Sequence, residues 1–172
     1  MSSHIARFNP EGLHETPGYH HITVVEAGRT AHLSGQCPLD LAGEVVGGAD
    51  VVAQTDQVVA NCRTALAAVG AAPEHVVRSV IYVREDARGN GAAGDGADAG
   101  GSPRLDAVWE RLTSSPLGPA FSTASTILGV SSLGYPGQLV EIDLTVALPP
   151  RPQDQPLTDQ PSSAPAPRSG SS

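Results

Sequence analysis

From Leu139 to Leu148 the sequence LVEIDLTVAL alternates with a period of two. Val140, Ile142, Leu144, Val146 and Leu148 form one wholly apolar face, while Leu139, Glu141, Asp143, Thr145 and Ala147 form the other. Such a strand needs a helical layer on its apolar side and a different neighbour on the other. Only two segments can supply helices. From Asp50, an N-cap residue, apolar positions recur at Val51, Val52, Thr55, Val58, Val59, Cys62, Leu66 and Val69 until Gly70 closes the run. Leu105, Val108, Trp109 and Leu112 mark a shorter helix with Pro103 in its first turn.

The remaining periodic segments read as strands. HITVVEAGRTAHLSGQ reads as two strands joined at Ala27-Gly28-Arg29 in a hairpin, with Ile22 and Val24 on one face of the first and Ala31 and Leu33 inward on the second. VVRSVIYV, β-branched and bounded by turn residues, is a third, and PAFSTASTILGV, residues 119 to 130, a fourth. The order is strand, strand, helix, strand, helix, strand, strand. This predicts an α+β fold, a mixed sheet with both helices on one face. Two helices cannot cover both faces, so the semi-polar face is expected to pack in an oligomer.

Composition narrows the function classes. The 172 residues carry a formal net charge of −8, which fits one domain and disfavours nucleic acid or an anionic membrane as partner. The sequence contains no lysine, so a lysine Schiff base is excluded. No run is long and apolar enough to span a bilayer, and the N-terminus lacks a signal peptide's apolar stretch, so a cytoplasmic location is expected. Cys37 and Cys62 are too few for a disulfide framework and read as buried thiols. Residues 86–103, rich in glycine, alanine and aspartate, and the Pro/Ser-rich tail 149–172 lack the periodicity needed to pack; both are expected to be disordered around a single domain spanning residues 1–148.

Five stretches, GYHH, LSGQCPLD, AQTDQVVANCRTALAAVGA, VVRSVIYVRED and LVEIDLTVAL, follow in order and spacing the pattern of the RidA/YjgF family of reactive-intermediate deaminases, which the chain resembles from Ile5 to Leu148. The resemblance implies a chorismate-mutase-like fold and a homotrimer with small-molecule clefts between subunits. It implies no cofactor. The activity it implies is hydrolysis of reactive enamines and imines to carbonyl compounds and ammonia.

Carried over residue by residue, the resemblance implies that Tyr19 is the aromatic at the cleft mouth. Ser34 and Gly35 would bring a backbone amide to the ligand, and Glu141 would position the attacking water. The family's substrate-clamping arginine falls at Ser125, and its cysteine or threonine two residues on falls at Ile127. A neutral hydroxyl is a poor substitute for a guanidinium fork on a carboxylate, so imines bearing a free carboxylate are expected to bind poorly.

Arg84, at the end of the third strand, is a candidate for the missing cation, against a solvated strand-end role; Arg104 and Arg111 are expected to face water. His21 lies where related sequences carry a polar residue near the cleft, and either a proton-transfer or a structural role suits it. His20, His21 and His32 could approach one another across the hairpin, but a zinc site needs three or four convergent ligands, and no metal is expected. Asp143 reads as a surface or interface charge.

Three functions remain at this level. The first is hydrolysis of carboxylate-free imines, with Ser34, Gly35, Ser125 and Thr126 holding the substrate by neutral hydrogen bonds. The second is non-catalytic binding or sequestration of a metabolite. The third is a pathway-specific hydrolysis or tautomerisation in the same cleft.

Overall fold

The computed structural model of the protein describes residues 4–85 and 102–149. Its elements are β1 (Ile5–Phe8), β2 (Ile22–Val25), β3 (Thr30–Gln36), α1 (Val51–Ala68), β4 (Val76–Arg84), α2 (Pro103–Ser114), β5 (Ala124–Val130) and β6 (Val140–Ala147). Beyond the expected order there is one further strand, β1. Residues 86–101 and 150–172, which hold nearly all of the stretches expected to be disordered, lie outside the described residues. Ser102 and Pro103 instead cap and open α2.

Two expectations are corrected. The hairpin does not form: β2 pairs antiparallel with β1, Ile5 opposite Val25 and Phe8 opposite Ile22, whereas β3 pairs with β6. The β1–β2 ribbon is anchored elsewhere. The Arg7 guanidinium donates to the carbonyls of Glu74 and Val76 at 2.7 and 2.8 Å, and Thr23 Oγ1 lies 2.7 Å from Thr123 Oγ1. Thr23 is thus the anchored side of β2, and Ile22 and Val24 are exposed. Second, residues 119–130 are not one strand, because Gly118–Phe121 form a 3-10 turn that buries Phe121 before β5 begins at Ala124.

The larger sheet has the order β3-β6-β4-β5, with β4 and β5 parallel and the other pairs antiparallel. Both helices cover one face. Val58, Cys62 and Leu66 of α1 and Val108 and Leu112 of α2 share a core with Ile81 and Val83 of β4 and with Val140, Ile142, Leu144 and Val146 of β6. The caps follow from the sequence: Asp50 Oδ1 accepts from the Val52 and Ala53 amides, a bond worth about 1 kcal/mol, and Gly70 takes φ +67° after the last turn.

Paired positions share a face, so the registers sort every candidate residue. Ser79, Ser125 and Leu144 are in register on the helix-covered face, as are Ile81, Ile127 and Ile142. Tyr82, Leu128 and Glu141 are in register on the uncovered face.

Candidate functional site

On the uncovered face, β3 carries one extra residue relative to β6: Leu33 pairs with Leu144 and Gln36 with Ile142, so Ser34 and Gly35 form a bulge. The bulge admits Glu141. A Cβ on Gly35 would sit 2.0 Å from Glu141 Oε1 and 2.8 Å from its carboxyl carbon, so the carboxylate occupies the space a side chain would take. Its other oxygen accepts from Gln138 Nε2 at 2.9 Å. Gln138 is fully buried and also accepts from the Tyr135 amide at 3.0 Å, which fixes its amide plane.

Gln54 of α1, also fully buried, holds this segment in turn. It donates to the Gly48 and Gly137 carbonyls at 2.6 and 2.9 Å and accepts from the Leu139 amide at 2.8 Å. Neither glutamine carries a periodic signal that would single it out in the sequence, yet together they aim Glu141.

Beside Gly35 opens a groove of about 480 Å³, whose walls include Cys37, Leu39, Asn61 and Tyr135. Asn61 Nδ2 donates to the carbonyls of Cys37 and Leu39, both at 2.9 Å, and so ties this wall to α1. Burial first, and then the neighbouring Glu141 charge, push the Cys37 thiol up to about 11. Burial alone pushes Cys62 up to about 12. Both are protonated thiols at neutral pH, and neither has the character of a nucleophile.

A stability prediction follows from these two thiols. A thiol whose pKa is raised in the folded protein keeps its proton after the unfolded chain has lost its own, so its stabilisation is complete below pH 9 and is lost as pH rises through 11 and 12. The urea midpoint is therefore expected to hold up to about pH 9 and to fall above it. In a Cys37→Ser, Cys62→Ala double variant the decline is expected to be shallower.

The helix-covered face presents a second cluster. Tyr19, Ser125 and Ile127 line a pocket of about 290 Å³ with Pro17, Leu105, Asp106 and Trp109. The Ser125 hydroxyl donates to the Phe121 carbonyl at 3.1 Å and lies 2.6 Å from the buried Ser79 hydroxyl. The Tyr19 hydroxyl is 3.2 Å from His14 Nε2, and the His14 and His21 rings meet edge-on with centroids 4.7 Å apart.

His21 is engaged structurally, its amide donating to Asn9 Oδ1 at 2.8 Å and its Nε2 lying 3.0 Å from the His14 carbonyl. His20 Nδ1 contacts the Ser122 carbonyl, and His32 lies on β3. Among the described residues no group of three His, Cys, Asp or Glu side chains could hold a metal ion.

The residues singled out in the sequence therefore fall into two groups within one chain. Gly35 and Glu141 meet on the uncovered side, with Ser34 beside Gly35 in the bulge, while Tyr19 and Ser125 meet under α2. Thr126, next to Ser125, points to the opposite face and accepts from Arg78 Nη1 at 3.0 Å. Arg84 follows Tyr82 on the uncovered face and lines a cleft of about 530 Å³ with Ser131, Ser132, Tyr135 and Pro136, on the other side of the sheet from Ser125 of its own chain. Arg104 does not simply face water, since its guanidinium donates to the Arg84 carbonyl. Exposed Arg111 grips Asp56 of α1 at 2.6 and 3.0 Å. Asp143 accepts from the Tyr82 hydroxyl at 3.3 Å.

A half-covered mixed sheet with a carboxylate set into a bulged edge strand, and a pocket beneath the second helix, defines the class of α+β protein to which this chain belongs. The sequence pattern described as Endoribonuclease L-PSP matches residues 13–91. Protein DfrA of Myxococcus xanthus is 36% identical over 126 residues, covering 73% of this chain and 81% of its own. The crystal structure of YyfB from Yersinia pestis, of the conserved Rid protein family, is 32% identical with a TM-score of 0.67, covering 84% of this chain and 99% of that one. The YjgF/YER057c/UK114-family protein Rv2704 of Mycobacterium tuberculosis is similar in fold at 21% identity, with a TM-score of 0.51, over 84% of this chain and 99% of its own.

The chain belongs to the Rid (YjgF) family, a family of small-molecule-binding proteins. Among the described residues no helix is long and apolar enough to cross a membrane.

Proposed function

We propose that the protein is a homotrimer that binds a small imine or enamine in a cleft between subunits and hydrolyses it to a carbonyl compound and ammonia. The carrying observation is Glu141, set against the bare backbone of Gly35 and gripped by Gln138, because a carboxylate so fixed can orient a water molecule. The water oxygen bonds to the imine carbon, the carbon–nitrogen bond breaks, and the protons of the water leave with the nitrogen as ammonia. No cofactor enters the reaction.

Two further observations support a shared cleft. Tyr19 and Ser125 lie on the opposite side of the sheet from Glu141, so a site using all of them needs groups from two copies. The uncovered face also offers a surface for such packing, with Leu128 46% exposed beside the ion- and hydroxyl-bearing Arg78, Thr126 and Tyr82.

With a hydroxyl at Ser125 in place of a charged clamp, carboxylate-bearing imines are poor substrates; losing a charge-assisted pair of this kind costs about 2–5 kcal/mol. The test is ammonia release in two coupled assays, one supplying a carboxylate-free imine from an amine oxidase and one supplying 2-aminoacrylate from a dehydratase. Acceleration in the first and none in the second is expected. Equal acceleration of 2-aminoacrylate overturns the role given to Ser125, and no acceleration of either overturns the hydrolytic reading in favour of binding alone. In the same framework Ser125→Arg is expected to tighten pyruvate binding by calorimetry, and a monomer in sedimentation at micromolar concentration refutes the shared cleft.

A further inference from the structure

The pocket under α2 has the wrong charge for an anion. Its walls include the rings of Tyr19 and Trp109, the apolar side chains of Pro17, Leu105 and Ile127, and the carboxylate of Asp106. Among the described residues no arginine lines it. Asp106 is exposed and, among the described residues, has neither a hydrogen bond from its side chain nor an ion pair. The Ser125 hydroxyl, its neutral donor, is already given to the Phe121 carbonyl.

A second carboxylate lies close by. Glu85 Cγ sits 2.9 Å from where a Cβ on Gly129 would be, with Leu105 Cδ1 3.9 Å from the same point, and Glu85 accepts from the Ser102 hydroxyl. Asp106 and Glu85 thus place two carboxylates at this end of α2, with the Arg104 guanidinium held away on the Arg84 carbonyl, and aromatic rings such as those of Tyr19 and Trp109 attract cations.

We infer that this pocket recognises a positively charged amine or iminium group carried on an apolar body. The inference deepens the proposed reading, since a protonated imine is such a cation, but it concerns binding and stands apart from the chemistry. Asp106 also occupies the first turn of α2, where a carboxylate favours the helix dipole, so the test must separate recognition from helix stability.

Trp109 is the sole tryptophan of the chain, and its emission reports on this pocket directly. The probes are benzylamine, benzyl alcohol and benzoate, matched in body and differing in charge, titrated at pH 8 with fluorescence and calorimetry. Benzylamine is expected to saturate the emission change and to bind about tenfold more tightly than the alcohol, a difference of about 1.4 kcal/mol. Benzoate is expected to bind weakest. Asp106→Asn is expected to erase the preference for the amine and Asp106→Glu to keep it. Benzoate binding as tightly as benzylamine, or an amine affinity unchanged in Asp106→Asn, overturns the inference. Amine selectivity without ammonia release from any imine leaves the pocket assignment standing and removes the hydrolytic reading. Ammonia release with no amine selectivity does the reverse.

Discussion

Gly35→Ala is expected to lower turnover of a carboxylate-free imine by about 100-fold while leaving the protein folded. The added methyl would lie 2.0 Å from Glu141 Oε1, 2.8 Å from the carboxyl carbon and 3.1 Å from Cγ. The oxygen alone could swing aside cheaply, but three atoms in a row cannot, so the carboxylate leaves the bulge and the Gln138 bond with it. A displacement of about 1 Å in a positioned group costs on the order of 100-fold. Gly35 has no positive φ, so alanine brings no backbone strain there and the urea midpoint should move little. Glu141→Gln gives the comparison: it keeps the shape and removes the charge, and a comparable loss is expected. Unchanged turnover in Gly35→Ala would mean that the position of Glu141 is irrelevant to the chemistry.

The second large effect is on stability. Gln54→Leu is expected to cost about 3 kcal/mol, read from the urea midpoint, although it replaces a fully buried polar side chain by an apolar one of similar size. Burial of the new methyl groups is favourable, but the Leu139 amide and the Gly137 and Gly48 carbonyls lose their partner. Each group left unpaired out of water costs about 1–3 kcal/mol; the exposed Gly48 carbonyl can turn to solvent, whereas the Leu139 amide is interior. The variant should also slacken the segment that carries Gln138, so turnover should fall beyond what the loss of folded protein explains. A cost below 1 kcal/mol would show that the segment finds other partners.

The contrast between these residues explains how much of the molecule could be read from its sequence. Both helices, with their caps at Asp50 and Gly70, and the alternation of β6 are local patterns, fixed by residues within a turn or two of one another. The proposed hairpin failed because strand pairing is not local: β2 found β1, whose four residues are too short to announce themselves, while Arg7 and Thr23 carried the ribbon to the starts of β4 and β5. Parity along β5 already places Ser125 and Thr126 on opposite faces, but which of them shares a face with Glu141 depends on a register that only the assembled sheet supplies. Gln54 and Gln138 were invisible for a related reason. A glutamine is ordinarily a surface residue; the worth of Gln54 lies in backbone groups more than eighty positions away, and that of Gln138 in a turn that brings the Tyr135 amide and the Glu141 carboxylate to one side chain.

The bulge at Ser34 and Gly35 has a consequence beyond the carboxylate it houses. β3 is an outer strand of its sheet, and an outer strand is an open invitation for another chain to add itself edge to edge. An extra residue breaks the even spacing of amides and carbonyls along that margin, so an incoming strand could match only part of it. The irregularity that makes room for the Glu141 carboxylate therefore also guards the chain against uncontrolled association through that edge.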